Sequence, residues 1–155
     1  MRIAATIGVL LLIGTAAHAE TLYYGSRAGM EVTVVSKSNI GSTHAKIGTK
    51  HTKANATAFC REYVGKVTPK CVADELKVEL LPEISANCQT GKFITLNGQG
   101  YQFLGANPQY DPTGGGTEYL LTDAGGGDPL DGTSASGYDV ALDQFRALCP
   151  NRARK

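Results

Sequence analysis

The chain has 155 residues, 42% of them hydrophobic, with 15 basic against 14 acidic side chains and four cysteines. That length accommodates one domain with a modest core and excludes a large multidomain machine. Near-zero net charge with ordinary apolar content argues against a disordered chain and leaves no basic surplus to hold nucleic acid.

In chain order, Arg2 supplies a short positive start, Ile3 to Thr15 is nearly unbroken apolar sequence, and Ala17-His18-Ala19 offers small residues for a signal peptidase. Residues 1–19 therefore read as a cleaved secretory signal, too short to span a membrane comfortably. Cleavage before Glu20 leaves 136 residues with 14 basic and 14 acidic groups and no second membrane-spanning run. The product is expected in the periplasm or outside the cell, as a single domain over residues 20–150 followed by a basic, frayed tail over 151–155.

In an exported chain the cysteines Cys60, Cys71, Cys88 and Cys149 read as two disulfides. Three pairings are possible. The most economical joins Cys60 to Cys71 locally and Cys88 to Cys149 across the second half. No C-x-x-C pair is present for zinc or for thiol redox chemistry.

Thr21 to Tyr24 opens the mature chain, and Glu31 to Val35, β-branched and nearly alternating, predicts a strand. Ser38-Asn39-Ile40-Gly41 is a turn signal, and Thr43 to Thr49 predicts the returning strand with Ala45 and Ile47 on one face. Thr52 caps a helix whose Ala56, Phe59, Cys60 and Tyr63 share a face and which Gly65 ends. Thr68-Pro69 opens a short second helix to about Leu76, and Lys77 to Leu81 predicts a strand with Val78 and Leu80 inward, stopped by Pro82.

Farther on, Lys92 to Leu96 and Tyr101 to Leu104 flank Asn97-Gly98, the strongest hairpin signal in the chain. Glu118 to Thr122 predicts another strand between Gly-, Asp- and Ser-rich loops at 105–117 and 124–137. Val140 to Leu148 is amphipathic, with Ala141, Leu142, Phe145, Leu148 and Cys149 on one face and Pro150 after it. The fold class expected is α+β: antiparallel strands in two groups packed with two main helices and stapled by disulfides.

Charge is unevenly spread. Residues 20–92 carry ten basic and seven acidic side chains, whereas 111–143 carry seven acids and no base. Such a segment is either a solvated set of loops or a recognition surface for a basic partner.

Little in the chain points to catalysis. His44 and His51 lack a partner at ligand spacing and read as exposed surface residues. Gly132-Thr133-Ser134-Ala135-Ser136-Gly137 is one residue too long after Ser134 for a nucleophile elbow, which leaves a small secreted serine hydrolase as a distant alternative. Asp111, Asp123, Asp128 and Asp131 do not have the spacing of a calcium loop. Asn55-Ala56-Thr57 is a glycosylation sequon inside a predicted helix, which makes it a coincidence. No phosphate-cradling or dinucleotide glycine motif occurs, so no cofactor is expected. Tyr110, Tyr119 and Tyr138 lie beside the acidic loops, as interface anchors or as half-buried core.

Ser134-Ala135-Ser136-Gly137 followed by Tyr138 resembles the S-A-S-G…Y stretch of the bacterial C-type lysozyme inhibitors, membrane-bound and periplasmic. The resemblance spans about five residues. It implies a small exported β-rich domain in which a serine of this loop, here Ser134 or Ser136, enters the lysozyme cleft beside its catalytic carboxylates. The assisting lysine of that family has no counterpart, because the chain after Tyr138 continues as a helix without lysine. The leading expectation is thus a non-enzymatic envelope protein that binds a basic, lysozyme-like peptidoglycan hydrolase through Asp131, Ser134, Ser136, Gly137 and Tyr138. The alternative is a periplasmic structural or small-ligand-binding module.

Overall fold

The computed structural model describes residues 19–114, 116–130, 132 and 137–154. Residues 1–18 of the expected signal peptide, 1–19, lie outside them. Among the described residues seven strands pair with their chain neighbours, all antiparallel, in one curled sheet. They are β1 (Thr21–Tyr23), β2 (Glu31–Ser38), β3 (Ala45–Lys50), β4 (Glu83–Asn87), β5 (Lys92–Ile94), β6 (Gly100–Ala106) and β7 (Tyr119–Asp123). Three helices complete an α+β fold: α1 (Lys53–Glu62) and α2 (Pro69–Glu75) between β3 and β4, and α3 (Tyr138–Leu148) after β7.

The two expected groups of strands are continuous, because β3 pairs with β4 through Ala45↔Ala86 and Ile47↔Ile84. Alternation sends Ala45, Ile47, Ile84 and Ala86 to the inner face, where all are buried. Register shifts at Val34/Ser36 and Phe103/Gly105 bend the two ends of the sheet. Against the inner face lies α3, whose Ala141, Leu142, Phe145 and Leu148 are all buried as their spacing predicts. Phe145 stacks on Phe103 with ring centroids 4.5 Å apart and meets Phe93 at 5.0 Å, which makes it the centre of the core.

Both disulfides form in the most economical pairing. Cys60–Cys71 ties α1 to α2, and Cys88–Cys149 ties the end of β4 to the end of α3. The Thr52 cap is a full capping box: its hydroxyl accepts from the Asn55 amide at 3.2 Å, and Asn55 Oδ1 accepts from the Thr52 amide at 2.9 Å. Asn55 is buried by this arrangement, so the sequon is closed to a glycan. Within α1 the apolar face divides, with Ala56 and Cys60 buried and Tyr63 exposed.

Two expectations are corrected. Residues 77–81 are not a strand; Val78 and Leu81 are exposed, and the strand is Glu83–Asn87. Pro82 precedes that strand rather than stopping one, as suits a residue without an N–H, and its carbonyl accepts from Thr49 N at 2.8 Å. The tail is docked as far as Arg154: Ala153 is buried, and Arg152 donates to the carbonyls of Cys88 and Gln89.

Candidate functional site

The serine loop leaves the sheet at Leu130 and enters α3 at Tyr138, and both ends are fastened to β7. Leu130 pairs with Leu121, its amide donating to the Leu121 carbonyl at 2.7 Å. Tyr138 is buried, and its hydroxyl donates to the Tyr119 carbonyl at 2.5 Å. Burial pushes the Tyr138 phenol above its ordinary range, so it stays neutral as a donor. Tyr138 therefore supports the loop from behind and offers no exposed contact.

Between these anchors, Gly132 has φ +74°, and a Cβ there would stand 2.4 Å from Thr117 Cγ2. Glycine lets the chain pass close against Thr117, two residues before β7. Gly137 has φ +75° and opens α3 without a side-chain cap. Asp131, Ser134 and Ser136 lie outside the described residues.

Beside Gly137 a cleft of about 320 Å3 opens. Its walls are α3 through Val140, the β1–β2 connection through Tyr24 and Arg27, and the β5–β6 turn through Asn97 and Gln99. The Asn97 Nδ2 group donates to the Tyr24 carbonyl at 2.9 Å, and Gln99 Nε2 donates to Asp123 Oδ1 at 3.2 Å. Arg27 is exposed, with its guanidinium 4.6 Å above the Tyr63 ring.

A second polar cluster was not foreseen, and it corrects the reading of His51 as a surface residue. The His51 side chain is 11% exposed and Glu75 8%, with His51 Nε2 and Glu75 Oε1 3.8 Å apart. Tyr24 donates its hydroxyl to Glu75 Oε1, and the His51 ring meets the Tyr24 ring edge-on at 5.5 Å. Burial lowers the affinity of His51 for its proton and raises that of Glu75, so desolvation favours the neutral form of each. Both His51 ring nitrogens are enclosed and lack a hydrogen-bond partner among the described residues. An enclosed group of this kind fastens α2 to the sheet. One signal in the chain points to it: Glu75 stands three residues after the buried Val72, on the inward side of α2.

His44, by contrast, is exposed, with Nδ1 2.8 Å from Thr43 Oγ1. Asp111 Oδ1 accepts from the amide and hydroxyl of Thr113 at 2.8 and 2.7 Å, a local turn. Among the described residues no three His, Cys, Asp or Glu side chains are grouped to hold a metal ion. Nor is any described helix long and apolar enough to cross a membrane. Comparison with protein-family models, curated proteins and solved structures finds no match to this chain.

Proposed function

We propose that this is an exported envelope protein, without a catalytic role of its own, that binds a basic lysozyme-like peptidoglycan hydrolase through the loop from Asp131 to Tyr138. One observation carries the reading: the loop is anchored at both ends on β7, within a segment of seven acids and no base. Fastening at Leu130 and Tyr138 fixes where the loop meets the rest of the molecule. Its serines supply small hydrogen-bonding groups that fit a cleft lined by carboxylates. The surrounding negative charge steers a cationic partner and speeds encounter more than it deepens affinity.

The test is lysis of cell-wall suspensions by lysozyme with and without micromolar protein starting at Glu20. Inhibition should weaken with Ser134→Ala plus Ser136→Ala, and the association rate should fall as salt rises. Unchanged lysis together with no binding of lysozyme to immobilised protein would overturn the proposal. A small-ligand-binding module is the second reading, favoured by the cleft beside Gly137. Under that reading, lysozyme leaves the amide resonances of residues 130–138 unmoved.

A further inference from the structure

Of eleven large apolar side chains exposed among the described residues, five fall in one stretch of chain. Tyr63, Val64, Val67, Leu76 and Val78, each 39–51% exposed, all lie within residues 63–78, from just after α1 to just after α2. A groove of about 410 Å3 runs between the two helices, with Thr57, Val72 and Ala73 along it and Val67 and Leu76 at its rim. Lysines border this surface. Lys53 lines the groove from α1, and Lys66 precedes Val67. Lys70 and Lys77 share Asp74 at 2.5 and 2.9 Å along the flank of α2; with Arg61, Glu62 and Glu79 counted, the exposed side chains of residues 53–79 carry five positive and three negative charges. Among the described residues Lys53 and Lys66 form no ion pair, and both are exposed.

The hairpin that carries these groups is rigid. Cys60–Cys71 joins its helices, Thr52 and Thr68 cap them, and the Tyr24–Glu75 bond holds α2 to the sheet. Little ordering is left to be done on binding.

We propose that this face of the α1–α2 hairpin docks on an anionic phospholipid surface. Val67 and Leu76 enter the headgroup boundary while the bordering lysines reach lipid phosphates. The chemistry favours lipid over a protein partner. Aromatic and arginine anchors dominate protein interfaces. Here the exposed groups are mostly aliphatic with lysines beside them, and the long lysine stem lies along apolar surface while its charge meets phosphate. Docking here is independent of the serine loop and stands whether or not that loop binds a hydrolase.

Flotation of the oxidised protein, starting at Glu20, tests this. Vesicles containing phosphatidylglycerol in phosphatidylcholine are compared with phosphatidylcholine alone. The protein should float with the anionic vesicles and be released by salt. Lys53→Glu with Lys66→Glu should weaken partitioning about thirtyfold or more, at roughly 1 kcal/mol for each lysine lost from the surface. Val67→Ser with Leu76→Ser should weaken it by about tenfold through lost apolar contact. These side chains are exposed, so both variants should keep wild-type thermal stability, checked beforehand. Failure to float with anionic vesicles overturns the proposal, as does equal binding to neutral ones. Capture of an acidic protein that depends on the same lysines, without flotation, assigns the surface to a protein partner and also overturns it.

Discussion

Both ends of the Gln144 amide are used on backbone groups that the sheet leaves open. The Oε1 atom accepts from Leu96 N at 2.9 Å and Nε2 donates to the Tyr23 carbonyl at 2.7 Å, with the side chain fully buried. Gln144→Leu keeps similar bulk but strands a donor and an acceptor, at about 1–3 kcal/mol for each group left unsatisfied. The urea midpoint should fall accordingly at unchanged m-value; a loss under about 0.5 kcal/mol contradicts the clasp. Helical spacing identifies the buried face of α3 but not this role, because the groups opposite Gln144 are about 48 and 121 residues away in the chain. His51 was misread for the same reason, since Glu75 and Tyr24 approach it only in three dimensions. Burial holds His51 below its ordinary value of 6.5, so on acidification the unfolded chain takes up a proton first. Its contribution is therefore full above that pH and is lost as pH falls toward the lower folded value. Glu75 runs the other way: burial makes the folded state hold its proton to higher pH, so its cost grows as pH rises above the ordinary carboxylate value. Just below pH 6.5 the wild type should lose urea stability faster than His51→Gln. Parallel pH profiles would remove His51 as the cause.

At the scale of elements, the caps, the Asn-Gly hairpin and α3 were legible because their signals are local. Thr52, Thr68 with Pro69, and Gly98 each act within four residues of chain. The strand at 83–87 was missed because Val78 and Leu80 alternate as well as Ile84 and Ala86 do. Pairing with β3 and β5 decides between them. Contact between the β1–β2 connection and α1 was equally hidden. Gly29 has φ +75°, and a Cβ there would lie 2.6 Å from both the Cα and the N of Phe59. Gly29→Ala thus combines left-handed strain with a collision against helix backbone that cannot give way. It should destabilise by about 2 kcal/mol or more. The amides of α1 and α2 should lose hydrogen-exchange protection before those of β4–β6. Uniform loss across the sheet would show that α1 and α2 do not open separately.

Across the whole molecule, charge and cysteines were the most legible features, since composition and an even cysteine count suffice to read them. What they could not show is how the two bridges divide the work. Cys60–Cys71 closes 11 residues of sequence within one hairpin, whereas Cys88–Cys149 spans 61 and joins the middle of the sheet to the helix that covers its inner face. The end of α3 also receives the β2–β3 turn, where Gly41 N donates to the Leu148 carbonyl at 2.8 Å. Loop entropy assigns about 3 kcal/mol to the short bridge and about 4 kcal/mol to the long one. The larger contrast should be spatial. Cys60→Ala with Cys71→Ala should speed exchange in α1 and α2 and leave β3–β6 protected. Cys88→Ala with Cys149→Ala should lower protection throughout the sheet by about a thousandfold, because α3 cannot leave without exposing the core around Phe145. The same variant should loosen the Tyr138 anchor of the serine loop, so any lysozyme binding should weaken in step with global stability. Exchange that rises only near Cys88 and Cys149 would mean that packing of Phe145 alone holds α3 in place.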